Sequence, residues 1–297
     1  FAVLTFMINA CASSISGDTA EDTQAHEGNS FCWEGAYDYR RCCILGDPSC
    51  WSAGLLDWES CCLDPGKAIF ISPPCHTIVA NHFFICGNEE LKGSYHQRKS
   101  ISYWMYQQGE KFLQKVRSEL PVLGSNTHLS ILDIGVGMGA ADIALHRHYG
   151  KRVSFIYMDK SQFEPKRMSV ISDGSQSGFG EQHPFYGNLE CARQIAWMNG
   201  LPEVRLIELA SGHRISDLDE QSVDIVVSLS SWGFHYPIEM YISDVMRVLK
   251  LEGFILVSLR TGTEGITVLS RHGFGCNFLS QDVHREWVKC SRAPVNN

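Results

Sequence analysis

The sequence lacks the features that characterise nucleic-acid-binding and membrane-spanning proteins. Its 25 Lys and Arg residues are outnumbered by 33 Asp and Glu residues, and they form no basic run. Nucleic acids and anionic membranes are bound by positively charged faces, so neither partner is expected. No apolar stretch approaches the roughly 18 residues that a membrane span requires. Since 44% of the residues are hydrophobic, we expect a folded chain with a packed core and no span in the mature protein.

Cysteine is scarce in the second part of the chain and concentrated in the first. Eight of the 12 cysteines lie within residues 31–88, and the three that follow are Cys191, Cys276 and Cys290. This uneven distribution predicts two regions that are stabilised by different means. We expect a small cysteine-rich module at 31–88 and a larger domain at 89–297.

The first 30 residues differ in character from both regions. Residues 1–8 are mostly apolar, and the small residues that follow include an Ala10-x-Ala12 pattern. Such a run resembles the end of a secretory signal peptide. We therefore predict a signal-peptide remnant at 1–12 and a polar, acidic linker at 13–30. A frayed hydrophobic terminus or a buried first strand is the alternative for the apolar run.

An internal repeat marks the module at 31–88. Each copy has a Cys-Trp pair followed by a Cys-Cys pair, at positions 32–33 and 42–43 and again at 50–51 and 61–62. A unit of under about 20 residues buries too little apolar surface to fold without cross-links or a metal. The even number of cysteines and the lack of Cys-x2–4-Cys knuckles favour disulfides over zinc. The module resembles small Trp- and Cys-rich modules of secreted algal and protist proteins. The predicted disulfides and signal peptide indicate a secreted or lumenal protein. A cytosolic protein with reduced or metal-bound cysteines is the alternative.

From residue 89 onward, apolar strands alternate with amphipathic helices, which is typical of an α/β fold. The pattern predicts a doubly wound, mostly parallel Rossmann-like sheet with a C-terminal antiparallel hairpin. Strands are expected at 129–132, 153–158, 204–209, 223–229, 254–259, 274–279 and 287–289, and helices at 101–116, 140–149, 188–199 and 237–249. A Gly- and Ser-rich surface excursion is expected at 172–180. Cys276 and Cys290 flank the hairpin, where a disulfide could join them.

A glycine-rich segment, Asp133-x-Gly135-x-Gly137-x-Gly139, follows the first predicted strand, and Asp159 ends the second. Glycines at this point let the backbone approach a ligand and turn into a helix whose N-terminus faces the site. A carboxylate at the end of the second strand can accept hydrogen bonds from both hydroxyls of a ribose. The pattern therefore predicts a cofactor that contains adenosine.

Asp133 distinguishes between two such cofactors. Gly135-x-Gly137-x-x-Ala140 also satisfies the dinucleotide fingerprint, which leaves an NAD-dependent oxidoreductase as an alternative. A carboxylate two residues before the first glycine would face a pyrophosphate unfavourably. The same carboxylate would attract the ammonium and sulfonium groups of S-adenosyl-L-methionine. Asp133 thus favours S-adenosyl-L-methionine.

Three motifs carry a resemblance to a known family. Residues 131–139 match the first motif of class I S-adenosylmethionine-dependent methyltransferases, residues 157–159 match the second, and 248–253 stand where that family usually has Leu-Lys-Pro-Gly-Gly. From about residue 99 to the end, the chain resembles this family. The resemblance implies that Gly135, Gly137 and Gly139 cradle the cofactor and that Asp159 holds its ribose. Together with Asp133, these are the expected cofactor-binding residues. The acid that the family often places after the third strand to meet the adenine has no clear match at 208–211.

Further segments at 185–190, 228–237 and 260–263 resemble sugar O-methyltransferases of bacterial and phage type. That resemblance implies methylation of a hydroxyl on a carbohydrate or other small molecule. His235, just beyond the fourth strand, is our candidate for the base that removes the hydroxyl proton. Packing or capping of the following helix is the alternative role for His235. The residues expected to line the acceptor pocket are Ser230, Ser231, Trp232 and Tyr236.

Two absences narrow the expected chemistry. The chain has no Asn/Asp-Pro-Pro-aromatic tetrapeptide after the fourth strand, which amino-methylating members use to hold a nitrogen. It also has no acidic cluster there of the kind that a magnesium-dependent enzyme requires, so we expect no metal. The hydroxyl acceptor is therefore inferred by elimination. A protein that binds the cofactor without turnover is a further alternative.

Overall fold

The structure, a computed structural model, describes residues 42, 67–71, 75, 95–159, 169–170, 176–177, 188–201, 203–209 and 214–293. The chain divides into two compact units, Phe1–Gln108 and Gly109–Asn297. The predicted signal peptide and linker, most of the cysteine-rich module and most of the predicted surface excursion lie outside the described residues. None of the described helices is long and apolar enough to cross a membrane.

In the first unit, the described residues include the buried, disulfide-bonded Cys42 and Cys75. These bonds fit the predicted disulfide framework. The buried Ile69 donates its backbone N–H to the carbonyl oxygen of Ser102 at 3.2 Å. Ser102 lies in the first half of helix α1 (Tyr95–Val116). The division between the units falls inside this helix, and the predicted module boundary at residue 88 lies outside the described residues.

The second unit alternates strands and helices along the chain. Its elements are β1 (Leu129–Ile134), α2 (Ala140–Tyr149), β2 (Val153–Asp159), α3 (Leu189–Met198), β3 (Val204–Glu208), β4 (Val223–Ser228), α4 (Ile242–Val248), β5 (Leu249–Arg260), α5 (Gly265–Arg271), β6 (Phe274–Gln281) and β7 (Arg285–Arg292). Two further strands of two residues each, Ser169–Val170 and Gln176–Ser177, pair with one another. Short 3-10 helices lie at Arg117–Glu119, Gly150–Arg152, Ile215–Asp217 and Ile238–Met240.

The seven longer strands form one sheet in the order β3-β2-β1-β4-β5-β7-β6. The first five strands of that order are parallel, and β7 runs antiparallel to both of its neighbours. This arrangement confirms the predicted doubly wound, mostly parallel sheet with its antiparallel C-terminal hairpin. The strand order reverses between β1 and β4, and in such sheets ligands bind outside the carboxyl ends of the strands at this point.

The central strands β1 and β4 are nearly continuous apolar runs and are almost entirely buried. This pattern is what parallel strands covered on both faces require. Asp224 fixes their amino ends, because its Oδ2 accepts the Ser130 backbone N–H and its Oδ1 accepts Lys250 Nζ, both at 2.8 Å. The sheet therefore holds the opposite, carboxyl ends of β1 and β4 side by side.

The predicted helix at 237–249 is wrong at both ends. A 3-10 turn at Ile238–Met240 is separated from α4 by Tyr241, whose φ of −127° and ψ of −3° are not helical. Leu249 already belongs to β5, where it pairs with Val223 before the register shifts. Residues 250–253, which lie before the predicted strand at 254–259, are thus an irregular part of β5. Pairing with β4 overrides the helical spacing of the apolar residues, a competition that periodicity alone cannot resolve.

The C-terminal hairpin is closed by the disulfide between Cys276 and Cys290, as predicted from their positions. The two residues face one another in the β6–β7 register, with their Cα atoms 4.0 Å apart. Cys191 in α3 is also disulfide-bonded. Within the described ranges, no cysteine is free.

Candidate functional site

The predicted cofactor loop lies between β1 and α2, at the point where the strand order reverses. Gly135, Gly137 and Gly139 all adopt positive φ values of 79°, 57° and 72°. The backbone N–H of Gly135 donates to the carbonyl oxygen of Met158 at 2.7 Å. The backbone N–H of Gly137 donates to Oδ2 of Asp159 at 2.9 Å. The end of β2 therefore fixes the course of the loop.

Gly135 also brings the loop against the segment after β4. A Cβ added at Gly135 would overlap the Oγ and Cβ atoms of Ser231. No residue other than glycine fits here without displacing Ser231. The predicted cofactor loop and the predicted acceptor segment are thus in direct contact, which the sequence alone did not establish.

Asp159 lies where the sequence placed it, at the end of β2, and only 4% of its surface is exposed. One carboxylate oxygen already accepts the Gly137 N–H. Asp159 therefore supports the loop. Its binding of the ribose hydroxyls stays a prediction.

A buried acidic pair lies beneath the loop. Asp133 is 3% exposed and Asp142, in the first turn of α2, is fully buried. Burial raises the pKa of Asp133 to about 7; a hydrogen bond with Asp142 opposes this rise, and the charge of Asp159 adds to it. Burial, followed by the charge of Asp133, raises the pKa of Asp142 well above its ordinary range. A proton retained by Asp142 lets it donate to Asp133, so that the pair carries at most one negative charge near neutral pH.

Tyr157 extends this acidic group. Its hydroxyl is buried and would lie 3.1 Å from a Cβ added at Gly139. Burial and the neighbouring charges of Asp142 and Asp133 raise the pKa of Tyr157 well above its usual range, so it stays protonated. Within the described part of the chain, the Tyr157 hydroxyl has no hydrogen-bond partner, and the buried oxygens of Asp142 have none unless a proton is shared with Asp133. Only the shared proton of the acidic pair reduces this deficit.

The segment after β4 begins with a strained residue. Ser230 has a φ of +60°, a left-handed conformation that a side-chain-bearing residue rarely adopts. Two contacts hold it: its N–H donates to Ser258 Oγ at 2.9 Å, and its Oγ accepts Arg285 Nη1 at 3.2 Å. Ser230 and Ser231 therefore lie at the edge of the sheet beside the loop, and their role in an acceptor pocket stays a prediction.

Trp232 is not placed as predicted. Its side chain is fully buried in the core, and its indole N–H donates to the carbonyl oxygen of Ile238 at 2.9 Å. The backbone N–H of Trp232 donates to Ser228 Oγ, which itself donates to the carbonyl oxygen of Ile134 at 2.7 Å. Trp232 therefore anchors the segment to β1 and does not line an acceptor pocket. The sequence position of an aromatic residue next to a site does not show whether its side chain faces the site or the core.

His235 lies at the same edge and is half-buried. Its ring meets the Phe234 ring edge-on with centroids 4.9 Å apart. Burial, then the charges of Arg260 and Arg285, lower the pKa of His235 to about 4. The imidazole is therefore neutral at neutral pH and able to accept a proton, although the two arginines make it a weak base.

Tyr236 and Tyr241 connect this edge to the end of β2. Burial, then Tyr236 and Asp159, raise the pKa of Tyr241 to about 12. Tyr241 therefore lies close to both a predicted acceptor residue and the predicted ribose residue. Tyr241 has helical spacing with the apolar Ile238 and Val245, and this spacing gives no sign of such a position.

Three other residues near the site, one aspartate and two arginines, were not predicted from the sequence. Asp142 gave a weak signal, because an acid in the first turn of a helix is usually explained by the helix dipole. Arg260 lies in a segment singled out for its resemblance, but it was given no role. Arg285 gave no signal, because its position depends on the register of the hairpin.

A groove of about 730 Å³ lies away from this edge. Its lining includes Ser130 and Ser154, at the starts of β1 and β2. These are the amino ends of parallel strands, opposite the glycine loop, so the groove is not part of the candidate site. In the residues that the structure describes, no group of three or more His, Cys, Asp or Glu side chains could hold a metal ion.

The chain is similar to known proteins in three-dimensional structure, and no similarity in sequence is found. No known family model matches the chain, and no curated protein sequence matches it. A SAM-dependent methyltransferase from Aquifex aeolicus is 14% identical, with a TM-score of 0.41 over 61% of this chain and 88% of that one. The CMeT domain of the citrinin polyketide synthase is 15% identical, with a TM-score of 0.41 over 78% and 60%. The CurJ carbon methyltransferase is 14% identical, with a TM-score of 0.42 over 78% and 61%.

Proposed function

We propose that this protein is an S-adenosyl-L-methionine-dependent methyltransferase that acts on a hydroxyl of a carbohydrate or other small molecule. The observation that carries the proposal is the gathering of Asp133, Asp142 and Asp159 around a glycine loop at the reversal point of the sheet. A pyrophosphate at this loop would meet the charge of Asp159 and any charge on the Asp133–Asp142 pair at close range, where like charges repel. A cationic ligand would be attracted instead.

The reversed strand β7 supports the same choice of cofactor. Dinucleotide-binding sheets of this type are built from two similar parallel halves in the order 3-2-1-4-5-6. Here the strand beside β5 is antiparallel and belongs to a hairpin. This difference argues against the NAD-dependent oxidoreductase.

The residues around the loop fit the proposed cofactor. Gly137 and Gly139 keep the left-handed turns that let the backbone approach a ligand, and Asp159 keeps a carboxylate at the end of β2. Asp133 would face the ammonium and sulfonium end of the cofactor, and Asp159 the ribose. When bound, the cofactor supplies an activated methyl group, so the protein contributes mainly alignment of the acceptor.

The acceptor hydroxyl must lose its proton as the methyl group is transferred. We assign proton acceptance to the neutral imidazole of His235, a role that contributes about 10²–10⁴-fold in comparable enzymes. The acceptor would lie between His235 and the glycine loop, beside Ser230, Ser231 and Tyr236. The contact of Ser231 with Gly135 supports this placement.

We further propose that the protein works in the secretory pathway or outside the cell. The Cys276–Cys290 bond and the bonded state of Cys42, Cys75 and Cys191 are compatible with an oxidising compartment.

Transfer of a labelled methyl group tests the proposed activity. Purified full-length protein is incubated with methyl-labelled cofactor and a panel of carbohydrate, phenolic and lipid acceptors. We expect label in at least one hydroxyl compound, and loss of that transfer in Asp159→Ala with a cofactor affinity at least several-fold weaker. Tight cofactor binding with no transfer to any member would instead favour a non-catalytic binding protein.

A further inference from the structure

The two buried aspartates beneath the glycine loop contact one another. Asp133 lies near the end of β1 and is 3% exposed, and Asp142 lies in the first turn of α2 and is fully buried. The loop between β1 and α2 brings their carboxyl groups within hydrogen-bonding range of one another. An ionised carboxylate can only accept a hydrogen bond, so a bond between two carboxyl groups requires a proton on one of them. The pair therefore retains at least one proton.

The surroundings of the pair do not neutralise it. Oδ1 of Asp133 and both oxygens of Asp142 are buried, and within the described part of the chain they have no hydrogen-bond partner outside the pair. The charge that acts on Asp133 from β2 is that of Asp159, which is also negative. Tyr157 faces the pair from β2 as well, but it stays protonated and therefore uncharged. Among the described residues, these neighbours supply no positive charge to the pair.

The proton content of such a pair responds to a charge that arrives nearby. Burial disfavours the first negative charge, and repulsion between neighbouring carboxylates disfavours a second one still more. Burial raises the pKa of Asp133 to about 7, and it raises the pKa of Asp142 well above its ordinary value. Asp142 therefore keeps its proton near neutral pH, and Asp133 is the member that gains or loses one there.

We propose that Asp133 releases a proton to the solvent when the cofactor binds, while Asp142 keeps its own proton and donates it to the Asp133 carboxylate. This inference rests on the proposed methyltransferase function, which brings the ammonium and sulfonium groups of the cofactor towards Asp133. Their positive charges favour the charged form of Asp133. Charges act over several ångströms in a buried region, so the cofactor need not touch Asp142. Asp142 is therefore a positioning residue.

Proton release makes the affinity for the cofactor depend on pH. Below the Asp133 pKa of about 7, binding must remove the proton, whereas above it the proton has already left. Affinity should therefore rise by about tenfold per pH unit up to about pH 6.5 and then level off. The cofactor ammonium keeps its charge over this range, because α-amino groups have a pKa of about 7.7–8. His235 does not interfere, since its pKa is about 4.

Calorimetry on the full-length protein tests the inference. S-adenosyl-L-methionine is titrated at about pH 6 in MES and in Bis-Tris, whose ionisation enthalpies differ, so that the difference in binding heat gives the number of protons released. We expect close to one proton per cofactor bound, and none in Asp133→Asn. Asp142→Asn should still release the proton, because its amide can donate to Asp133. Asp142→Leu cannot donate, and it should bind the cofactor tenfold or more weakly at neutral pH.

Asp219→Asn is the matched control, because Asp219 is exposed and precedes β4, at the opposite end of the sheet. It should leave the proton release unchanged. If binding releases no proton, or if Asp133→Asn releases as many as the unaltered protein, the inference is wrong while the methyltransferase proposal stands. Equal affinity of Asp142→Leu and the unaltered protein would contradict the role of Asp142. If S-adenosyl-L-methionine does not bind at all, both proposals fail.

Discussion

Gly135→Ala is the substitution that most sharply tests the junction between the glycine loop and the acceptor segment. Alanine at a left-handed φ of 79° costs about 1–2 kcal/mol. The added Cβ would also lie closer than 3.0 Å to Ser231 Oγ, and overpacking of this kind costs about 1–3 kcal/mol. We therefore expect the free energy of unfolding to fall by about 2–5 kcal/mol, measured by denaturant titration.

Gly273→Ala separates the two contributions. Gly273 has a φ of 81°, and a Cβ added there would meet nothing within 4 Å. It should therefore lose only the conformational part, about 1–2 kcal/mol. The double variant Gly135→Ala/Ser231→Gly should recover the overpacking part relative to Gly135→Ala, in a double-mutant cycle. If Gly135→Ala costs no more than Gly273→Ala, the loop and Ser231 are not in contact and the placement of the acceptor is wrong.

Three further outcomes are expected. Because burial raises the folded-state pKa of Asp133 to about 7 and raises that of Asp142 well above its ordinary value, the folded protein binds more protons than the unfolded chain, so the free energy of unfolding should fall from about pH 4 to pH 7. Asp142→Asn removes one of these two carboxyl groups and should reduce the slope in denaturant titrations, and an unchanged slope would show that Asp142 does not retain its proton. Replacing Cys276 and Cys290 by alanine should lower the free energy of unfolding by about 3 kcal/mol, the value for a loop of about 15 residues, and equal melting with and without the bond would contradict this. His235→Asn should reduce turnover by about 10²–10⁴-fold with little change in cofactor affinity, as steady-state kinetics and calorimetry would show; full activity would end its assignment as the base.

The sequence predicted most of the sheet and the position of the glycine loop because both depend on local patterns. β1, β2 and β4 are apolar runs of strand length, and the glycines after β1 have the spacing of a ligand-binding turn. The helix α2 begins and ends at the predicted residues, 140 and 149, with glycines on either side. Each of these features is encoded within a few neighbouring residues.

The acceptor edge was predicted less well because it is formed by residues distant in sequence. Arg260 meets Arg285 only because the β5–β7 register pairs them. Trp232 is buried because its indole reaches the carbonyl oxygen of Ile238. The burial of Asp142 beside Asp133 depends on how α2 packs against the sheet. None of these contacts has a local sequence signature.

We propose that the site above β1 takes a cationic ligand and not a diphosphate. Titration calorimetry of the full-length protein with S-adenosyl-L-methionine and with NAD tests it directly. We expect one S-adenosyl-L-methionine to bind per chain, more weakly in Asp133→Asn, and no binding of NAD. Binding of NAD in preference, or S-adenosyl-L-methionine binding that is unaffected by Asp133→Asn, would contradict the claim.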